Sequence, residues 1–259
     1  SLFHSVAAFN NSGFDILGNY QNLIPYQSNV LLNLVTCALI FFGGIGFLVI
    51  RELRIKRFRW HKLSMHSRVV ISMSIFLIIA GTVLLKLTEN VTWLGAFFHS
   101  VSARTAGFST YSLGSFTQPG LFVLIILMFI GASPGSTGGG IKTSTFFVLM
   151  QGIKSAATNK SEKAFHYAIP KNAFRKAAVI TLIGLGIVIT GTYIMIILEP
   201  QLRLIDAMFE VTSGLGAASK LLSILIMYIG RLGPLTIATL WYFTKSERIS
   251  YPEGNISIG

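Results

Sequence analysis

Phe3-His4-Ser5-Val6-Ala7-Ala8-Phe9-Asn10-Asn11-Ser12-Gly13-Phe14 is answered later in the chain by Phe98-His99-Ser100-Val101-Ser102-Ala103-Arg104-Thr105-Ala106-Gly107-Phe108. Both stretches run from a short amphipathic segment into small polar residues and a glycine, and both stand beside long apolar segments. A half-helix ending in polar, glycine-containing backbone between apolar spans has the form of a pore-lining loop. Composition agrees: 52% of residues are hydrophobic, 12% are charged, and the mean hydropathy is +0.66. An ordinary soluble domain is far less apolar.

Runs of about 20 apolar residues cross a bilayer as helices. Five stretches qualify: 28–50, 67–87, 120–150, 173–198 and 220–243. The third is too long for one span and is broken in its middle by glycines. Their hydrophobicity is continuous rather than alternating, which excludes a barrel, and a helix satisfies its own backbone in lipid. The expected fold is an all-α membrane protein. The net charge of +12 gathers in the connections: Arg51, Arg54, Lys56, Arg57, Arg59, Lys62 and Arg68 after the first span, and Lys154, Lys160, Lys163, Lys171, Arg175 and Lys176 after the third. Lys245 and Arg248 follow the fifth. The positive-inside rule places these loops in the cytoplasm, and no nucleic-acid partner is expected. Cys37 is the single cysteine, so no disulfide forms within the chain, and it reads as packing.

Between the second and third spans, Thr92–Val101 is apolar enough for a helix and too short to cross a bilayer. A re-entrant half-helix fits, and non-helical backbone at Arg104–Gly107 is tolerable at membrane depth where it lines a watery cavity. A third, weaker copy follows the fourth span: Ile205-Asp206-Ala207-Met208-Phe209-Glu210-Val211-Thr212-Ser213-Gly214-Leu215-Gly216. Two spans and one basic loop separate successive copies, so all enter from the same, non-cytoplasmic face. The repeats are therefore parallel, which implies a pseudo-rotation axis along the membrane normal and a central pore. Each half-helix would aim the negative end of its dipole at that axis and favour cations. Residues 1–58 read as the second half of one unit (pore helix, loop, span). Residues 59–160 read as a complete unit with a glycine-interrupted second span, and 161–259 as a complete unit whose loop is shortened or lacks residues. Three half-helices leave one side of a ring open, so sequence before Ser1 is expected.

These phrases, together with Ala132-Ser133-Pro134-Gly135-Ser136-Thr137-Gly138-Gly139-Gly140-Ile141-Lys142 and Tyr228-Ile229-Gly230-Arg231-Leu232-Gly233-Pro234-Leu235, resemble the Trk/Ktr/HKT superfamily of potassium transporters, with the bacterial KtrB/TrkH-type membrane subunits the nearest subgroup. The resemblance runs across essentially the whole chain. It implies four repeats around one pore, with a filter-loop glycine in each letting backbone carbonyls replace the hydration shell of potassium. Gly13 and Gly107 match that role, with Asn10, Asn11 and Ser12, and Arg104, Thr105 and Ala106, as their filter neighbours. Potassium would be held at Asn11, Ser12, Gly13, Thr105, Ala106 and Gly107. Read alone, each glycine also suits the end of a short helix. Leu215 and Gly216 occupy the third filter position, although Ala217-Ala218-Ser219 leads at once into Lys220, so Gly216 also reads as a flanking residue.

The run from Ala132 to Gly140 contains Pro134 and four glycines, which prevent a regular helical ladder. It lacks the glycine-lysine-Ser/Thr order of a phosphate-binding loop and follows a membrane helix, so no nucleotide is expected on this chain. It reads as a flexible constriction beneath the filter, with a static kink as the plainer alternative. The resemblance makes it the gate. Arg231 lies eleven residues into the last span, about 16 Å deep. An arginine there faces a cavity or carbonyls, and the loop carbonyls are its expected partners. Lys142 either does likewise or marks a helix start. Glu210 either contributes to a vestibule or hydrogen-bonds a filter loop; Arg104 more naturally braces its pore helix than touches the ion. His4 and His99 recur at matching places without thiol or carboxylate neighbours and read as packing.

The expected function is potassium translocation through a glycine-based filter, with sodium as a second candidate ion and a sodium- or proton-coupled symporter as the alternative. The spans carry no carboxylates of the kind a proton-coupled carrier of organic substrates uses, and no nucleophile and base at catalytic spacing, so no enzyme is expected. The resemblance further implies a homodimer in the plasma membrane of a bacterium and a cytosolic ring of nucleotide-binding regulatory subunits of the KtrA/TrkA type. The basic loops suit such a ring or anionic membrane lipid equally. Replacing Arg231 by alanine is expected to weaken closure and raise basal cation flux in a transport assay; unchanged or lower flux would remove Arg231 from the gate.

Overall fold

A computed structural model describes residues 2–18, 21–159, 163–165, 167–170 and 172–213. Its described elements are helical apart from one short hairpin. The helices are α1 (Leu2–Phe9), α2 (Val30–Gly44), α3 (Phe47–Ile55), α4 (Met65–Thr88), α5 (Trp93–Ala103), α6 (Gln118–Phe129), α7 (Thr143–Thr158), α8 (Ala173–Leu198) and α9 (Leu204–Ser213). The strands β1 (Lys163–Ala164) and β2 (Tyr167–Ala168) pair antiparallel in the connection between α7 and α8.

Helix starts follow side-chain capping chemistry. Asn29, Ser64, Thr92 and Thr117 each accept a hydrogen bond from the backbone N–H three residues on, opening α2, α4, α5 and α6. Each cap satisfies a donor the helix cannot, worth about 1 kcal/mol. Helices α4 and α8, with 24 and 26 residues, are about 36 and 39 Å long at 1.5 Å per residue, enough to cross a bilayer. Much of their surface is apolar and uncovered: Leu182, Ile189, Tyr193 and Ile197 of α8 are all exposed. Such a face suits lipid, not water.

The first predicted span differs from its expected form. Instead of one helix over 28–50, α2 stops at Gly44, the chain turns by 100°, and α3 carries on to Ile55. Local sequence alone does not turn it. Gly46 sits in left-handed backbone (φ 88°) with the Pro134 carbonyl against its α-carbon. Phe47 N–H donates to Gly135 O at 3.1 Å in place of a carbonyl one turn back. The third run is interrupted as expected: α6 ends at Phe129 and α7 begins at Thr143.

The short helices pack in a repeating way. Helix α5 lies against α4, which precedes it, and against α2 of the preceding unit; α9 lies against α8 and against α6. Helix α1 packs on α2. One core joins Ala7, Ala8, Cys37, Ile40, Phe98 and Phe108 where α1, α2 and α5 meet. A second joins Leu85, Ala96, Phe116, Leu121 and Leu124, with Phe209 of α9 against it. His4 and His99 serve these cores. His4 Nε2 bonds Thr36 Oγ1 at 2.9 Å and its ring stands edge-on to Phe108; His99 packs between Tyr111 and Phe116.

Contact is so close at Gly43 that a methyl group there would overlap the Phe9 carbonyl at the end of α1. Gly43→Ala should therefore destabilise by about 1–3 kcal/mol. Gly186→Ala, with open space around it on α8, should be neutral or stabilising by up to about 1 kcal/mol. Thermal unfolding of the two variants in detergent checks the contrast.

Candidate functional site

The two glycine loops share one backbone pattern. Beyond α1, Asn11 (φ 50°) and Gly13 (φ 71°) are left-handed; beyond α5, Thr105 (φ 136°) and Gly107 (φ 82°) are. The intervening Ser12 and Ala106 have ordinary φ. Alternating handedness turns successive carbonyls toward one side, whereas a strand alternates them. Glycine takes such φ without cost, while the β-branched Thr105 is held there under strain. Ser102 anchors the second loop: its carbonyl accepts from the N–H groups of Ala106 and Gly107, and its hydroxyl donates to Phe108 O at 2.5 Å.

The loops touch. A β-carbon on Gly13 would collide with Ala106 O, and one on Gly107 would lie 3.7 Å from Gly13 Cα. Among the described residues, no N–H or O–H group donates to the carbonyls of residues 11–13 or 105–107. Backbone carbonyls rarely go unpaired when removed from water. Of these residues Asn11 and Ala106 are buried, Ser12, Gly13 and Thr105 are half-buried, and Gly107 is exposed.

The 132–140 loop lies directly against both glycine loops. Asn11 Nδ2 donates to Thr137 Oγ1 at 3.2 Å, and Thr137 Oγ1 is within 3.3 Å of both Phe9 O and Gly43 O. A methyl on Gly138 would overlap the side chain of Thr105. The loop is also pinned to the broken span: Ser133 N–H donates to Gly44 O at 2.9 Å and Thr137 N–H to Gly43 O at 3.4 Å. Internally, Ala132 N–H meets Gly139 O, Ser133 Oγ meets Thr143 Oγ1 at 3.0 Å, and Ser136 Oγ donates to Ser133 O.

The cations near the loop behave differently from one another. Lys142 precedes α7 and donates from Nζ to Gly138 O at 2.7 Å, so it pairs with a loop carbonyl. Arg104, 8% exposed, reaches across to α4, giving hydrogen bonds of 3.3 Å to Ser74 O and Ser74 Oγ. Its side chain thus ties the end of α5 to α4. Asn10 is exposed and bonds back to Val6 O. Glu210 is partly buried on α9. Leu215, Gly216 and Arg231 lie outside the described residues.

Sequence reasoning missed Ser74 and the Gly43-Gly44-Ile45-Gly46 floor on which the loop rests. A cluster of three glycines inside an apparent span was the available signal for the latter. For Ser74 there was none, because its partner is thirty residues away.

Two helices long and apolar enough to cross a bilayer, and a third pair bent by 100° at a short break, define a polytopic helical membrane protein. A family profile described as TrkH, cation transport protein, matches residues 1–76 and 64–250, and the chain belongs to this family. It is 34% identical to Ktr system potassium uptake protein B of Vibrio alginolyticus and 32% identical to the protein of that name from Bacillus subtilis, over all of this chain in each case. It is also 32% identical to the potassium/sodium uptake protein NtpJ of Enterococcus hirae. The chain spans 62–64% of the length of these three relatives, a little under two thirds. The crystal structure of the potassium transporter TrkH from Vibrio parahaemolyticus shares the fold, with a TM-score of 0.68 at 20% identity over 93% of this chain and 57% of that one. These relatives are transport proteins and not enzymes.

Lys142→Met removes the charged donor from Gly138 O, a bond worth about 1.5–3 kcal/mol. Hydrogen–deuterium exchange of the 132–140 segment is expected to accelerate roughly tenfold or more.

Proposed function

We propose that the protein moves potassium across the plasma membrane of a bacterium through a pore lined by the two glycine loops. The observation that carries this reading is the six donor-free carbonyls of residues 11–13 and 105–107, set on backbone of alternating handedness. A dehydrated monovalent cation needs a cage of carbonyl oxygens and no charge transfer. Two loops supply part of such a cage. The third copy, with Leu215 and Gly216, would supply a further part. The repeated packing of α5 on α2 and of α9 on α6 is what a parallel rotation about a pore axis would produce. Potassium uptake in the names of the Ktr relatives supports the choice of ion.

The 132–140 loop is the gate in this reading. It contacts both glycine loops, and several of the bonds that hold it are long, 3.2–3.4 Å. Lys142 holds Gly138 O, and Arg231 is the second latch. The basic loops lie in the cytoplasm and receive a ring of nucleotide-binding regulatory subunits, and two copies of the membrane subunit form the dimer. Nucleotide binds the ring, not this chain. A sodium-linked mode is favoured by one specific finding, the potassium/sodium uptake named for the Enterococcus hirae relative.

Flux of rubidium against sodium through the complete chain, in cells lacking other potassium uptake, tests the proposal. Rubidium uptake above background is expected. Gly107→Ala forces a side chain into left-handed backbone at a cost of about 1–2 kcal/mol, and should reduce uptake about tenfold. If no monovalent cation moves with or without a cytosolic partner, the proposal fails.

A further inference from the structure

Asn11 and Arg104 follow the two half-helices and are deeply buried, 3% and 8% exposed. Each leaves one polar atom without a partner among the described residues: Asn11 Oδ1 and Arg104 Nε. Among those residues no carboxylate pairs with Arg104. Leaving such atoms unmet costs about 1–3 kcal/mol each. Both side chains line one cavity of about 20 Å³, together with Gly44, Ser74, Thr105 and Ala132. A single water needs about 10–15 Å³ measured this way.

The chemistry of the two atoms selects the occupant. Arg104 Nε–H is a donor. The Asn11 amide nitrogen faces Thr137 Oγ1, whose own proton has the Phe9 and Gly43 carbonyls to serve, so the free Asn11 atom is the acceptor oxygen. An anion would satisfy Arg104 and meet the lone pairs of Asn11. A cation would satisfy Asn11 and meet the guanidinium. Water alone, among species this small, accepts on one side and donates on the other.

We propose that one bound water bridges Arg104 Nε and Asn11 Oδ1, and that these side chains are positioning residues of the ion filter. The proposal rests on the reading of the two glycine loops as that filter. The bridge completes a continuous chain from Ser74 on α4, through Arg104, the water, Asn11 and Thr137, to Gly43 on α2. Thr105 follows Arg104 directly, and Gly13 lies two residues past Asn11. The water therefore sets the separation of the two carbonyl loops, and selectivity depends on that separation.

The test uses the full chain in lipid. A map that resolves other buried waters should show density within hydrogen-bonding distance of both atoms; absence of that density overturns the site. Asn11→Gly keeps left-handed backbone available and deletes the side chain. Arg104→Lys keeps the charge and deletes Nε. Each is expected to lower the preference for rubidium over sodium about tenfold, the worth of one or two hydrogen bonds, while protein melting in detergent verifies folding. Gly186→Ala, with open space around it on α8, is the control expected to keep both flux and preference. Wild-type preference in both Asn11→Gly and Arg104→Lys overturns the positioning role. If the wild-type chain moves no cation, the filter reading falls, and the density still decides the water.

Discussion

Backbone that leaves a helix inside an apolar medium must find partners within the protein. Here two interruptions in different spans provide them for one another. Helix α2 ends with free carbonyls at Gly43 and Gly44, and the 132–140 loop brings the N–H groups of Thr137 and Ser133 to them. In return, Phe47 at the start of α3 gives its N–H to Gly135 O. Neither break would be tolerable alone. The close approach this requires explains Gly46, where a side chain would strike Pro134 O in the opposing loop.

Much of the architecture follows from local sequence. The stretches at 67–87 and 173–198 coincide with α4 and α8, and the segment at 92–101 with α5, because long apolar runs favour helix and Ser64 and Thr92 cap two of these three. The interruption of the third run was equally legible from its proline and glycines. The 100° turn in the first span was not. Its partners lie in the loop ninety residues downstream, and within residues 28–50 only the glycines at 43, 44 and 46 hint at it. Nonlocal contacts of this kind override a hydropathy pattern that by itself asks for a straight helix.

The candidate site divides in the same way. Repetition singled out Gly13 and Gly107, and both take positive φ, 71° and 82°. What repetition did not disclose is that the two copies are unequal. Where the first loop has Asn11, bonded to Thr137, the second has Thr105, packed against Gly138. Arg104 has no charged counterpart at the matching place in the first loop, where Asn10 is exposed and turned back on its own helix. The two loops, alike in backbone, therefore differ in polar side chains whose partners are distant in sequence.

The turn between α2 and α3 has a mechanical meaning. Glu52, near the end of α3, accepts hydrogen bonds from Ser64 N–H and from the hydroxyls of Ser64 and Ser67, and pairs with Lys56, so the far end of this short helix is riveted to the start of α4. Its near end is tied to Gly135 through Phe47. The start of α4 and the 132–140 loop are thus bridged by a single helix nine residues long, about 13 Å.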